Sequence, residues 1–192
     1  MGKDFSAYAG EIGRVLRAVE VTDAAGKTID PDEAVSRCVS LARATHERGN
    51  KLMFIGNGGS AGIASHVAID YAKNGNLRAL AFNDPAALTC LANDLGYENV
   101  FAKQVEMHGR PGDLLVAISS SGRSPNILAA AAEARRVGCG IVTLSGFAPD
   151  NPLRRAGEVN FYLKSSVYGF VEIGHLAIVH SILDIAMGYK AP

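Results

Sequence analysis

Short, fully apolar runs that alternate with helical segments are the feature that most restricts how this chain can fold. The run 114–118 reads Leu-Leu-Val-Ala-Ile and contains no polar residue, as expected of a strand that is covered on both faces. Such alternation predicts an α/β fold, a three-layer sandwich around a doubly wound parallel sheet. Ligands of such sheets bind at the carboxyl ends of the strands. The predicted strands are 52–56, 78–82, 113–118, 139–145 and 158–163, and the helices between and after them are 60–73, 85–93, 97–107, 124–137 and 169–187.

Two helices are predicted ahead of the first strand. Residues 4–20 and 31–48 carry apolar residues at helical spacing. The pair Asp30-Pro31 is typical of a helix start, and the polar segment 23–27 joins the two helices. We expect residues 1–50 either to cover the sheet or to build a subunit contact.

The composition excludes several classes of protein. The 192 residues suit a single domain spanning 1–192, and 48% hydrophobic with 20% charged residues is typical of a globular protein. Lys and Arg together number 19, and so do Asp and Glu. Because there is no excess of positive charge, the composition does not predict a nucleic-acid partner. No apolar run approaches a membrane span and the N-terminus is no signal peptide. Cys38, Cys90 and Cys139 lack metal-type spacing, so we expect reduced, mostly buried thiols in a cytoplasmic protein.

A glycine-rich turn at residues 56–60 follows the first predicted strand, with the sequence Gly-Asn-Gly-Gly-Ser. Glycines let a backbone turn sharply and approach a ligand, and Ser60 at the mouth of the next helix either caps it or offers its hydroxyl to an anion. The turn lacks the lysine of a P-loop and the spacing of a dinucleotide fingerprint. An anion cradle and a simple tight turn are equally compatible with this segment. His66 and Asp70 lie one helical turn apart on one face of the following helix.

A second cradle follows the strand 113–118. Four serines surround Gly122, and Pro125 suits the first turn of the next helix. Hydroxyls and helix N–H groups bind phosphate oxygens without a counter-cation, so this loop predicts an anion site suited to phosphate. The alternative is a serine-rich loop that merely caps the helix, and two such loops at strand ends of one sheet favour the anion site. Arg123 either adds charge or is an idle surface residue. The serines are Ser119, Ser120, Ser121 and Ser124.

Within the last predicted helix, residues 171–180 are apolar except at Glu172, His175 and His180. Glu172 and His180 are eight residues apart and therefore point to roughly the same side. Glu172 and His175 have the Glu-x-x-His spacing of di-metal bundles, although a single histidine on an apolar helix is usually a hydrogen-bonded core residue. Spacing alone leaves open whether His66 and Asp70 meet this helix.

These motifs, taken together and in this order, resemble the SIS (sugar isomerase) domain and, more narrowly, the phosphoheptose isomerase family. The resemblance covers nearly the whole chain. The motifs that carry it are 54–60, 66–70, 93–97, 112–113, 119–124 and the 172–180 helix.

The resemblance implies a flavodoxin-like domain that assembles as a homotetramer with active sites at subunit interfaces. It implies isomerisation of sedoheptulose 7-phosphate to D-glycero-D-manno-heptose 7-phosphate through an enediol, without a nucleotide cofactor. Implied sugar contacts are Asn57, Gly58, Gly59, Asn93 and Asp94, and implied phosphate contacts are Ser119, Ser120, Ser121 and Ser124. Implied zinc ligands are His66, Asp70, Glu172 and His180, with Asp70 as the catalytic base, Glu172 as the alternative base and His180 as the acid–base partner.

Four departures from the family pattern leave the substrate open. The family usually has Glu at position 70 and commonly Gln at position 172, and the missing methylene at Asp70 draws the carboxylate back by roughly 1.5 Å. Gly169 stands where many members have Asp, and Ala72-Lys73 replaces a Gly-Arg pair. The alternatives are an isomerase of a different ketose phosphate and a non-catalytic SIS-domain regulator that binds the replication initiator protein.

Overall fold

The computed structural model describes residues 4–189. The helices are α1 Phe5–Arg17, α2 Pro31–Glu47, α3 Gly59–Lys73, α4 Pro85–Leu95, α5 Val100–His108, α6 Pro125–Val137 and α7 Tyr168–Ala186, with 3-10 turns at Tyr97–Asn99 and Pro152–Arg155. The strands are β1 Glu20–Thr22, β2 Thr28–Ile29, β3 Leu52–Gly56, β4 Ala79–Ala81, β5 Leu114–Ser119, β6 Gly140–Ser145 and β7 Val159–Tyr162.

The strands form one sheet in the order β2-β1-β7-β6-β5-β3-β4. The strands β3 to β7 are parallel, whereas β1 pairs antiparallel with both β7 and β2. The chain leaves β3 towards β4 on one side and continues from β5 to β7 on the other. The strand order therefore reverses between β3 and β5, which is the switch point where sheets of this kind bind ligands.

Helices cover both faces of the sheet, which confirms the predicted three-layer sandwich. Successive residues of β3 alternate between two cores: Phe54 faces the layer of α1, α2, α3 and α7, and Met53 faces the layer of α4, α5 and α6. All five residues of β3 and all six of β5 are buried. The fully apolar runs were thus correct indicators of strands covered on both sides.

The segment between the first two helices is not a plain polar link. It forms the antiparallel hairpin β1–β2 at the sheet edge, and α1 ends at Arg17, three residues before the predicted end. Strands of three and two residues are too short to show an alternating pattern, and Val21 and Ile29 are their buried residues. The prediction of two helices ahead of the first parallel strand holds, with this hairpin between them.

Helix α7 corrects one expectation from composition. This helix is long and apolar enough to cross a membrane, judged by length and composition only. The sequence analysis expected no apolar segment of that length. In the structure it is a core helix, with eight buried residues and contacts to α1, α2 and α3. A helix that packs on several sides is apolar around most of its circumference.

Two of the three thiols lie in the core. Burial raises the pKa of Cys38 to about 12 and that of Cys139 to about 11. Cys90 is exposed on α4. Two of the three thiols are therefore buried, which confirms the expectation of mostly buried thiols.

Candidate active site

The turn between β3 and α3 has glycine where a side chain would not fit. A Cβ on Gly56 would lie 2.5 Å from the backbone carbonyl of Ser60, and Gly58 has a φ of +54°. Gly58 is the N-cap of α3, so Ser60 lies within the first turn and does not cap it. The first N–H groups of α3 therefore remain available to a ligand.

The helices begin in two ways. Asp4, Asp30 and Asp84 accept N–H hydrogen bonds at the starts of α1, α2 and α4. By contrast, α3, α5, α6 and α7 have no side-chain cap within residues 4–189. Uncapped N–H groups and the positive end of the helix dipole favour an anion.

The N-termini of α3, α6 and α7 surround a cavity of about 270 Å³. In the described part of the chain its lining includes one carboxylate but neither lysine nor arginine. An anion there would be held by hydroxyls and backbone N–H groups. The lining residues are Asn57, Gly58, Gly59, Ser60, Ser119, Ser120, Ser121, Ser124, Tyr168 and Glu172.

Internal hydrogen bonds shape the serine loop. The Ser119 hydroxyl lies 3.2 Å from the Ser124 hydroxyl and accepts the Gly122 N–H. Gly122 has a φ of +61°, and a Cβ there would lie 2.0 Å from Oδ1 of the buried Asn151. The Ser120 hydroxyl is buried and has no partner among the described residues. A loop with one hydroxyl left unpaired suits a ligand that accepts hydrogen bonds.

Arg123 does not contribute to the cavity lining. Its guanidinium pairs with Asp150 at 2.7 Å, and both side chains are more than half exposed. It belongs to the outer surface of the loop.

Two predicted sugar contacts lie elsewhere. Asn93 and Asp94 are exposed near the end of α4, where the Asn93 amide donates to Asp94, and neither lines the cavity. Tyr97, which sequence reasoning missed, reaches instead from the next turn to Asn57. Asn126 and Tyr168 were also missed, because a polar residue inside a helix and an exposed aromatic carry no local signal of their contacts.

A second group of polar side chains lies further along α3 and α7. Asp70 Oδ2 is 3.2 Å from His66 Nε2 and 4.0 Å from His180 Nδ1. One potential ligand atom from each of the three residues lies within 4.8 Å of the others. The packing of α3 on α7 thus brings together residues whose meeting the sequence left open.

Glu172 is separate from this three-residue group. It lines the cavity, where a Cβ on Gly59 would lie 2.5 Å from its carboxylate. Gly59 to His66 and Glu172 to His180 are seven and eight helical residues, so the group is about 10 Å along the helices from the cavity. The predicted four-residue set is therefore divided between the cavity and the group.

His175 is a core residue and not a partner of Glu172. It is fully buried, and its Nε2 lies 3.1 Å from the Ser145 carbonyl oxygen. Burial lowers its pKa from 6.5 to about 4, so the ring is neutral at pH 7.

We expect the protein to lose stability in mild acid through His175. The unfolded chain takes up this proton near pH 6.5 and the folded chain only near pH 4, so stability is complete above the first value and falls as the pH drops towards the second. The expected loss is about 3 kcal/mol. Urea unfolding across this range measures it, and His175→Gln, which keeps a donor for the Ser145 carbonyl, should flatten the profile. Equal pH slopes in the two proteins would contradict the assignment.

Comparison with known proteins identifies the family. Residues 7–146 match the SIS domain model. A phosphoheptose isomerase of Geobacter sp. (strain M21) is 35% identical over 182 residues, which cover 91% of this chain and 93% of that protein. The chain belongs to the phosphoheptose isomerase family of SIS-domain proteins. It is by class a phosphosugar isomerase.

Solved structures of the phosphoheptose isomerase family share the fold. The enzyme from Neisseria gonorrhoeae superposes with a TM-score of 0.81 at 28% identity, covering 94% of this chain and 96% of that one. The enzyme from Francisella tularensis gives 0.81 at 26% identity, with 96% of both chains covered. These matches confirm the predicted architecture over nearly the whole chain.

Proposed function

We propose that this protein isomerises sedoheptulose 7-phosphate to D-glycero-D-manno-heptose 7-phosphate. The main support for the proposal is that Asp70 lies close to His66 and His180. The two helices that contain these residues both start at the hydroxyl-lined cavity. The names of its relatives give the same class of reaction.

The cavity would hold the phosphate and the three-residue group would act on the carbonyl end of the sugar. In a 7-phosphate the charged group and the reacting C1–C2 pair are at opposite ends of the molecule. The offset of about 10 Å along the helices suits such a long substrate better than a short one. Contacts to the remote phosphate would supply binding energy that positions the reacting end.

Proton transfer between C1 and C2 needs a base, an acid–base partner and stabilisation of the enediolate oxygen. We assign Asp70 as the base, with Glu172 as the alternative. His180 would exchange protons with the two oxygens. His66, whose Nε2 is 3.2 Å from the Asp70 carboxylate, would orient that base.

The same group fits a zinc ion. Two imidazoles and one carboxylate within 4.8 Å of one another are a suitable donor set, and catalytic zinc sites commonly have three protein ligands. His66, Asp70 and His180 would hold the ion, whereas Glu172, which the family resemblance implied as a further ligand, lines the cavity away from them. Bound zinc would polarise the substrate carbonyl.

We propose a homotetramer on the basis of apolar side chains left uncovered on α1, α3 and α7. Phe5 is 83% exposed, Ile69 59% and Tyr168 61%, and Ile69 lies between His66 and Asp70. A subunit that covers this face would also close the active site. We further propose that residues 1–50 contribute to this contact, since Phe5 belongs to them.

A cytoplasmic location is part of the proposal. All three cysteines are free, as is usual in a reducing compartment.

The function is tested by incubating the purified protein with sedoheptulose 7-phosphate and, in parallel, with fructose 6-phosphate and ribulose 5-phosphate. Aldose formation is followed by NMR, with and without added zinc. We expect turnover of the seven-carbon substrate above the shorter two. Preference for a shorter ketose would overturn the substrate assignment, and absence of turnover with binding to the replication initiator protein would support a regulator instead.

A further inference from the structure

We propose that Asn126 and Tyr97 are positioning residues that hold the Asn57 amide so that it acts only as a hydrogen-bond donor to the substrate. This inference rests on the proposed function. Neither partner lines the cavity, so both would act through Asn57.

The Asn57 side-chain amide makes three hydrogen bonds to these two partners. Its Oδ1 accepts from Asn126 Nδ2 at 2.9 Å and from the Tyr97 hydroxyl at 3.0 Å. Its Nδ2 donates to Asn126 Oδ1 at 2.9 Å. An amide oxygen has two lone pairs and an amide nitrogen two N–H groups. The oxygen is therefore fully used, and one N–H is left for a ligand in the cavity that Asn57 lines.

The two partners come from separate parts of the chain. Asn126 is the second residue of α6 and only 2% exposed. Tyr97 begins the 3-10 turn after Gly96, whose φ of +84° sets the direction of the chain. The three side chains connect the glycine turn after β3, the helix after the serine loop and the α4–α5 connection.

Orientation of the amide decides which substrate oxygens Asn57 can bind. A donor fits a hydroxyl, a carbonyl oxygen or the enediolate oxygen that develops during isomerisation. A rotated amide would present its oxygen, which still accepts a hydrogen bond from a hydroxyl but repels a carbonyl or enediolate oxygen. Rotation of the Asn57 amide alone would set its nitrogen against Asn126 Nδ2 and its oxygen against Asn126 Oδ1, and is therefore disfavoured.

Tyr97→Phe tests the positioning role with little risk to the fold, because the ring is 56% exposed. We expect kcat/KM for sedoheptulose 7-phosphate to fall about three- to tenfold, as for loss of one neutral hydrogen bond. Asn126→Asp places an oxygen against Asn57 Oδ1 and should reduce kcat/KM more strongly, by about 30-fold or more. Tyr189→Phe, which removes an equally exposed hydroxyl at the C-terminal side of α7, is the matched control and should leave kcat/KM unchanged.

A mutant cycle separates positioning from a structural role. In an Asn57→Ala background, Tyr97→Phe and Asn126→Asp should cause no further loss of kcat/KM, because the residue through which they act is gone. Losses that persist undiminished in that background would overturn the inference while the wild-type turnover still supported the proposed function. Where the wild-type protein binds the sugar phosphate without turning it over, only the proposed function fails, and the same cycle is measured on Kd. Absence of both binding and turnover would overturn both.

Discussion

Replacing Asp70 with asparagine is expected to lower kcat by about 10²- to 10⁴-fold with sedoheptulose 7-phosphate as substrate. The amide keeps the size of the carboxylate but does not accept a proton at neutral pH. The fold should persist, because Asp70 is on the outer part of α3 and its contacts are with His66, His180 and Asn74. Steady-state kinetics with parallel thermal unfolding measures both effects.

The control for this experiment is Asp184→Asn on the exposed end of α7, which removes an equal charge away from both the cavity and the three-residue group. It should retain the kcat of the parent protein. Glu172→Gln, which introduces the residue common in the family, should remain active when Asp70 is the base. Loss of activity in Glu172→Gln together with a normal kcat in Asp70→Asn would transfer the role of base to Glu172.

Replacing Ser120 with alanine is expected to have opposite effects on stability and on substrate affinity. In the free protein the Ser120 hydroxyl is buried and lacks a partner within residues 4–189, and such a group costs about 1–3 kcal/mol. Its removal should raise the free energy of unfolding by about 1 kcal/mol. The same change removes the proposed phosphate contact and should raise KM by about tenfold or more.

Ser119→Ala is the matched comparison for stability. Its hydroxyl already pairs with Ser124 and accepts the Gly122 N–H, so its loss should lower the free energy of unfolding by about 1 kcal/mol. Urea titrations of both variants give the two signs, and kinetics gives the two KM values. A destabilised Ser120→Ala protein with an unchanged KM would show that this hydroxyl is a structural group and not a phosphate ligand.

Much of the fold follows from local patterns in the sequence. The apolar run in β5 is buried in full, and Asp30-Pro31 does start a helix, with the Asp30 carboxylate accepting two N–H groups. The hairpin of β1 and β2 was not predicted, because five residues in two strands are too few for a periodic signal. Local patterns succeed where burial repeats along the chain, since the period of burial is the period of the element.

The glycine turn and the serine loop show how far the sequence determines the site by itself. The residue types of the serine loop predict a phosphate-binding chemistry, because serines at a helix start leave N–H groups and hydroxyls free, whereas the glycine turn alone was equally compatible with a simple tight turn. That the two loops meet is a consequence of sheet order, since Gly56 of β3 is paired with Ile118 of β5. The order of strands depends on packing between segments that are distant in the chain.

Only the tertiary structure determined which titratable residues lie close together. It brought His180 to Asp70 and His66, placed Glu172 in the cavity, kept Asn93 and Asp94 outside it and placed His175 in the core. Residue spacing specifies the face of a helix on which a side chain lies. What that face contacts depends on which helix packs against it and on the angle at which the two helices cross. No pattern within a single helix encodes either.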